Sequence, residues 1–197
     1  MSLLVSPDPA PFLTRSALLA AGVSDSTIRR ALASGRLTTV LPGVYAPVEH
    51  PVPQDPGAVH RAIVYALLPR MARGSVASHQ SAAAVHGLAV PQGDPVLHVT
   101  RPPPSKSHRG AMVCLHRGHL EPAEVVTVDC LPVTSPARTV LDCAMTLDAG
   151  DAVRLARSAV DAGLLDSAQL AAQLRRRSRA PGIRVAAARL AGVTGPL

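Results

Sequence analysis

The sequence predicts an α+β protein, with a helical N-terminal module that ends in a hairpin and then a mixed α/β domain with a small sheet and C-terminal helices. Helix-capping residues and glycine stops recur at short spacing over residues 14–47. Beyond a Pro-rich stretch at Glu49–Gln54, β-prone runs and runs of helical periodicity follow. We therefore expect one domain over residues 1–49 and a second over residues 55–197.

The first two helices are predicted from the residues at their ends. Thr14 is a favoured N-cap, and Gly22 suits the end of a helix because glycine takes positive φ without steric cost. Ser24 is placed to cap a second helix that runs through Ser34, and Gly35 provides its stop. A tight turn between two short helices is typical of a helix-turn-helix.

A hairpin is predicted directly after the second helix. The runs Leu37–Leu41 and Val44–Ala46 are rich in β-prone residues and flank the turn dipeptide Pro42-Gly43. Helix, turn, helix and hairpin in this order are the layout of a winged helix-turn-helix, a module that binds duplex DNA.

The second helix carries side chains that suit DNA recognition. Ile28 and Leu32 are four residues apart and face inward, so the opposite side of the helix is polar and basic. Arginine bonds guanine edges or phosphate, and hydroxyls bond phosphate. A small helical bundle with solvated arginines is the alternative interpretation. The candidate DNA contacts of the module are Arg15, Ser26, Thr27, Arg29, Arg30, Arg36 and Thr38.

The charge pattern favours polyanionic partners. Lys and Arg number 20 against 13 Asp and Glu, a formal net charge of +7, and Lys106 is the only lysine. Arg101–His119 and Arg175–Leu197 contain no acid, whereas Leu120–Leu174 holds eight carboxylates. This alternation predicts two binding surfaces. The arginine bias has an alternative explanation, which is a GC-rich genome. The basic tail also has one, which is a solvated helix end.

The second domain is predicted to place its strands between helices. A helix over Gly57–Pro69 comes first, and a short helix begins at Ser78 and ends near Gly87. The turn over residues 101–110 is too Pro-rich and polar for regular structure. The predicted strands are Val96–Thr100, Ala111–His116, Val125–Asp129 and Leu131–Thr134, and the later helices start at Ser135-Pro136 and cover Ala149–Ala162, Ser167–Arg177 and Ile183–Ala191.

We expect no catalytic residues, no metal and no cofactor. Ser78 and His79 resemble a nucleophile with its base, but a helix cap followed by a first-turn residue is the simpler interpretation. Cys114, His116 and His119 resemble a metal cluster, yet a fourth ligand is not evident. The sequence therefore predicts a protein that is not an enzyme.

The sequence predicts neither export nor a membrane span. The N-terminus lacks the charged start and sustained apolar segment of a secretory signal, and no apolar run approaches the roughly 18 residues that cross a bilayer. Cys114, Cys130 and Cys143 form no CxxC pair. We therefore expect a cytoplasmic protein with reduced thiols.

Four segments of the chain, taken together, are similar to a known family. They are Phe12–Ala46, SHQSAAAVHGL at Ser78–Leu88, LHVTR at Leu97–Arg101 and LPVTSPARTVLDCA at Leu131–Ala144. In this order they resemble the AbiEi family of antitoxins, in particular its actinobacterial branch. The resemblance implies a winged helix that binds the promoter of its own operon, with Ser24–Ser34 as recognition helix and Arg36–Ala46 as wing.

The resemblance also implies a second domain that counters a nucleotidyltransferase toxin encoded beside it. By match to the motif, the toxin-facing candidates are Ser135, Arg138 and Asp142. Arg138 and Asp142 are an i, i+4 pair, worth about 0.3–0.5 kcal/mol on an exposed helix. Many actinobacterial relatives continue into a Vsr-like endonuclease domain, and we expect this chain to be a short form without it. A nuclease of that class needs carboxylates that hold Mg²⁺ and a lysine near the last of them, whereas Lys106 has no acid nearby in sequence.

The sequence thus predicts a DNA-binding antitoxin that represses its own operon, as a homodimer or by cooperative binding to repeated sites. Two alternatives remain. The chain is a protein-interaction module that neutralises the toxin by direct binding, or it is the N-terminal part of a larger Vsr-like nuclease. An adjacent nucleotidyltransferase gene favours the antitoxin, and an endonuclease frame directly downstream favours the nuclease.

Overall fold

The structure is a computed structural model that describes residues 12–50, 54–93 and 96–194. These residues form eight α-helices and nine β-strands, arranged in a three-stranded and a six-stranded sheet. The predicted α+β class is confirmed. Residues 51–53 of the predicted linker lie outside the described residues, as do residues 1–11, for which the sequence predicts no secretory signal.

The N-terminal module follows the predicted order of elements. It consists of β1 (Leu13–Thr14), α1 (Arg15–Ala20), α2 (Asp25–Ala33), β2 (Leu37–Leu41) and β3 (Val44–Pro47). β3 lies between β1 and β2 and is antiparallel to both. The sequence does not predict β1, because two residues are too few to show the alternation of a strand.

The predicted caps of α1 and α2 are confirmed. Thr14 Oγ1 accepts a hydrogen bond from the backbone N–H of Ala17 at 3.1 Å, and Ser24 Oγ accepts one from the N–H of Thr27 at 3.3 Å. Gly22 follows α1 with φ of +83°, the left-handed conformation that glycine adopts at low cost. The turn that separates the two helices is therefore encoded locally.

The second segment begins with α3 (Pro56–Leu67), which a 3₁₀ turn at Leu68–Arg70 extends. Its strands are β4 (Val76–Ala77), β5 (Leu97–Arg101), β6 (His108–Arg109), β7 (Val113–Arg117), β8 (Val125–Val128) and β9 (Leu131–Thr134). Its other helices are α4 (His79–Val85), α5 (Pro136–Thr146), α6 (Ala149–Asp161), α7 (Ser167–Arg176) and α8 (Ile183–Thr194). Among the residues described, no helix combines the length and the apolar character that a bilayer crossing requires.

The six-stranded sheet has the order β6-β7-β5-β4-β9-β8. The pairs β5–β7 and β4–β9 are parallel, and the other pairs are antiparallel. The prediction that residues 101–110 lack regular structure is wrong at His108–Arg109, which form β6. This strand is possible because it lies at the sheet edge and follows the prolines, so no ladder hydrogen bond is lost.

Two apolar cores hold the described residues together. One joins the C-terminal helices α4–α8 and contains the fully buried Leu141, Leu155, Leu170 and Leu190. The other joins α3, α4 and the central strands, and it also contains side chains of the N-terminal module. Its members include Phe12, Leu41, Val44, Ile63, Val99 and Val133. The hairpin therefore packs its inner side against the second segment.

Candidate nucleic-acid interface

The helix α2 presents a polar and basic face to solvent. Ile28 is 3% exposed and anchors the inner side of the helix, with Leu32 half-buried behind it. Ser26, Arg29 and Arg30 are exposed on the other side. Both arginines of the predicted recognition helix are therefore exposed and accessible to duplex DNA.

Hydroxyl groups at the start of α2 form a small hydrogen-bonded cluster. Ser24 Oγ lies 2.8 Å from Ser26 Oγ and 3.0 Å from Thr27 Oγ1. Arg30 Nη2 donates to Thr27 Oγ1 at 3.2 Å, so the guanidinium is held along the helix. Thr27 is half-buried, and its hydroxyl is already hydrogen-bonded to Arg30 and Ser24.

Arg15 has a positioning role in addition to its charge. Its Nε donates to Asp25 Oδ1 at 2.8 Å and its Nη2 to Asp25 Oδ2 at 2.5 Å, across 10 residues. This bidentate pair ties the start of α1 to the first turn of α2. The hydrogen bond from Arg15 lowers the pKa of Asp25, and the charge of Arg29 acts in the same direction. The sequence reveals Arg15 as basic but does not reveal its partner.

The wing places two further candidates beside α2. Arg36 and Thr38 are exposed at the start of the hairpin, and Arg36 Nε donates to Ser34 Oγ at 3.2 Å. Gly43 closes the hairpin with φ of +76°. All seven predicted contact residues therefore lie in one module, and five of them are exposed without an ion pair: Ser26, Arg29, Arg30, Arg36 and Thr38.

The candidates at the start of α5 lie in a different environment from the one that the sequence predicts. Arg138 is 4% exposed and Asp142 1%, so the interpretation as an exposed helical pair is wrong. Arg138 Nε donates to Asp142 Oδ1 at 2.8 Å, and its Nη1 donates to Glu124 Oε2 at 2.8 Å. Gln173 Nε2 completes the network on Glu124 Oε1 at 2.6 Å. Neither Arg138 nor Asp142 is available to touch a partner in this conformation.

The third candidate, Ser135, is half-buried and works as a helix cap. Its Oγ accepts a hydrogen bond from the N–H of Arg138 at 3.4 Å.

Burial raises the pKa of Asp142 to about 6, although the charge of Arg138 acts in the opposite direction. The sequence could not reveal this network, because Glu124 and Gln173 come from elements that lie 14 and 49 residues from their partners.

Ser78 corrects a second prediction. Ser78 occupies the N-cap position of α4, but its hydroxyl makes no cap hydrogen bond. Ser78 Oγ instead accepts from Thr100 Oγ1 at 2.8 Å and lies 3.0 Å from His79 Nδ1. Both residues are buried, and His79 is the first residue of α4, so its predicted first-turn position is confirmed.

Cys114, His116 and His119, which resemble a metal cluster in sequence but are not predicted to form one, do not come together in the structure. His119 is exposed beyond the end of β7, whereas Cys114 is buried within it. The structure brings His116 together with His79 and His98 instead. Sequence spacing gives no sign of this set, since its members lie 18 or more residues apart.

Two short helices, a tight turn and a three-stranded hairpin sheet give residues 13–47 the layout of a winged helix. Residues 10–48 match the family model described as "Transcriptional regulator, AbiEi antitoxin". The match covers this module and leaves the rest of the chain outside it. It supports a DNA-binding antitoxin in general terms.

Most of the chain is also similar to a solved structure. It is the crystal structure of the RV2827C protein from Mycobacterium tuberculosis, which is 19% identical. The similarity covers 93% of this chain and 71% of that one, with a TM-score of 0.47. No curated protein matches the sequence significantly.

Proposed function

We propose that this chain is a DNA-binding antitoxin that represses its own operon and counteracts a nucleotidyltransferase toxin encoded beside it. The observation that carries the proposal is the exposed basic face of α2, within a segment that matches transcriptional regulators of the AbiEi antitoxin type. The exposed arginines also fit the formal net charge of +7.

The proposed contacts divide between α2 and the wing. Arg29 and Arg30 enter the major groove, where a guanidinium can bond guanine or phosphate. Ser26 bonds phosphate near the start of the helix, where backbone N–H groups also point outward. Arg36 and Thr38 touch the backbone beside the groove. Arg15 holds α1 against α2 through Asp25.

Binding by two copies follows from the size of the module. The nine residues of α2 extend about 13 Å, which covers only a few base pairs of groove. One such module gives a small interface, so operator recognition requires a dimer or cooperative binding to repeated sites.

A mobility-shift assay with the intergenic DNA upstream of the gene tests the proposal. We expect the Arg29→Ala/Arg30→Ala variant to lose at least tenfold in affinity. The matched control is Arg73→Ala/Arg157→Ala, which removes two exposed arginines of the second segment and should bind like the wild type. Equal binding by both variants would contradict the proposal.

The second candidate function is neutralisation of the toxin by direct contact. It is favoured by the acidic composition of Leu120–Leu174, where the exposed carboxylates are Glu121, Asp129, Asp148, Asp161 and Asp166. Exposed carboxylates suit a basic partner. Co-purification with the neighbouring gene product distinguishes the two mechanisms, because a stable complex requires contact and repression alone does not.

A further inference from the structure

Three histidines from three elements converge on one face of the six-stranded sheet. His79 is the first residue of α4, His98 lies on β5 and His116 lies on β7. The parallel register pairs Thr100 with His116, so His98 and His116 project from the same face. The nitrogen atoms that the three rings offer as ligands all lie within 4.8 Å of one another.

We infer that His79, His98 and His116 form a binding site for one borderline transition-metal ion of the Zn²⁺ type. Imidazole suits zinc, whereas Mg²⁺ and Ca²⁺ prefer oxygen ligands. His98 Nδ1 and His116 Nε2 are 3.0 Å apart. A tetrahedral zinc ion with bonds of about 2.0–2.1 Å places two nitrogen ligands roughly 3.3 Å apart, so this pair is close to the required spacing.

The surroundings of His79 resemble the outer shell of a metal ligand. Its Nδ1 lies 3.0 Å from Ser78 Oγ, which also accepts a hydrogen bond from Thr100. An Nδ1–H that donates to Ser78 leaves the lone pair of Nε2 for the metal, as outer partners do for ligating histidines. The backbone of His79 has φ of +51°, a left-handed conformation that is uncommon for residues other than glycine and that clusters at functional sites.

The charge state of the rings also fits a metal. Burial lowers the pKa of His98 to about 3 and that of His116 to about 4, and it holds the pKa of His79 well below its ordinary value. All three rings are therefore neutral at physiological pH, as ligands must be. The charges of two nearby arginines, Arg109 and Arg138, also lower the pKa of these rings. Neither is a strong obstacle to a cation, because Arg109 is exposed to solvent and Arg138 is paired with two buried carboxylates.

An open cleft reaches the cluster at His98, whereas His79 and His116 do not line it. A cavity of about 600 Å³ is lined by His98 together with Gln80, Arg109 and Asp148. Three protein ligands with an open fourth position allow a water or an exchangeable ligand to bind. His60 also lines the cavity but is not a fourth ligand, because its Nε2 bonds Ser81 Oγ at 2.8 Å and its ring bonds the backbone of Val96.

Metal binding requires one rearrangement. The rings of His79 and His116 are stacked, with centroids 3.6 Å apart and planes 16° from parallel. The in-plane lone pairs of stacked rings lie in nearly parallel planes, so they cannot both point directly at one ion. His79 therefore turns out of the stack when the ion binds, which changes the magnetic environment of its ring.

Calorimetric titration of tag-free, chelator-treated protein with ZnCl₂, and absorption titration with CoCl₂, test the site. We expect one ion per chain, the visible bands of tetrahedral cobalt and a higher Tm with zinc. His116→Gln should bind at least tenfold more weakly, because it removes one of three ligands. The matched control is His119→Gln, an exposed position that should keep wild-type affinity.

The absence of a bound ion in the folded wild type, or an affinity that His116→Gln leaves unchanged, would overturn the inference. Circular dichroism verifies that the variant is folded. A second measurement needs no variant: in imidazole ¹H–¹⁵N spectra of the wild type, zinc should shift the signals of three of the eight histidines. Assignment of the shifted signals to histidines outside this set would also overturn it.

Discussion

Arg138 of the second segment forms ion pairs with two buried carboxylates at once. Its guanidinium lies 2.8 Å from both Glu124 and Asp142, and Arg177 approaches Glu124 at 3.6 Å. Removal of one partner from a buried ion pair leaves an uncompensated charge, which costs more than the pair contributes. The network therefore holds the 3₁₀ turn at Pro122–Glu124, which precedes β8, against α5 and α7.

Replacement of Arg138 should be strongly destabilising. We expect Arg138→Ala to lower the free energy of unfolding by about 3–5 kcal/mol, because the buried Asp142 loses its charged partner and the buried Glu124 keeps only Gln173 and the more distant Arg177. Urea denaturation followed by circular dichroism measures the change. The control is Arg154→Ala, which breaks an exposed pair with Asp151 and should cost about 1 kcal/mol or less. A similar loss in both variants would contradict the buried role.

His60 gives the stability a pH dependence. Its ring faces the Ser81 hydroxyl, the Val96 backbone and the His98 imidazole, and burial lowers its pKa to about 4. Since the unfolded chain takes up this proton near pH 6.5, stability is present above that pH and is lost as the pH falls toward 4.

The contribution of His60 can be measured with a substitution. We expect unfolding free energies measured in chelator between pH 7 and pH 4 to fall, with His60 contributing up to about 1.4 kcal/mol per pH unit. His60→Gln should flatten this slope, whereas the exposed control His108→Gln should leave it unchanged. A slope that His60→Gln does not alter would refute the assignment.

At the scale of elements, local signals account for what the sequence predicts. Caps, glycine stops and apolar spacing lie within one helix or turn, and they locate α1, α2 and α5 closely. β1, β4 and β6 are two residues long and exist only through strand pairing, β1 and β4 with strands distant in sequence and β6 with β7, which follows it closely. The exposed face of α2 can be predicted from the helical spacing of its own apolar residues. The histidine cluster cannot, because it depends on the register between separate strands.

The Ser24 cap should matter for both the stability and the binding of α2. We expect Ser24→Ala to cost about 1 kcal/mol, because the N–H of Thr27 loses its acceptor and the hydroxyl cluster loses its centre. Thermal unfolding and DNA affinity measure the two effects. Ser178→Ala, at an exposed loop position, serves as the control. A Tm that is equal in the two variants would show that the cap is dispensable.

At the scale of the whole molecule, one apolar core joins the hairpin to the second segment. Phe12, Leu41 and Val44 belong to the same cluster as Ile63 and Val133. The sequence separates the two segments at a Pro-rich stretch, and its local patterns cannot show that their apolar faces meet. Because the core is shared, the orientation of the winged helix depends on α3.

A substitution in the shared core tests this coupling. We expect Ile63→Ala, at a fully buried position, to cost about 2–5 kcal/mol and to unfold both segments in one transition. Val48→Ala, at a position that is 57% exposed, should cost little. Because Tyr65 of α3 also fluoresces, both variants are made in a Tyr65→Phe background, where Tyr45 fluorescence reports on the module and far-ultraviolet circular dichroism reports on the whole chain. Two separate transitions would contradict a common core.

The salt dependence of operator binding tests the central claim most directly, namely that the outward arginines of α2 meet duplex DNA. The logarithm of affinity should fall linearly with the logarithm of salt concentration, and each arginine that meets a phosphate contributes about 0.9 to the slope. We predict a shallower slope and weaker binding for Arg29→Ala/Arg30→Ala, and wild-type behaviour for Arg73→Ala/Arg157→Ala. A wild-type slope and affinity in the first variant would contradict the account.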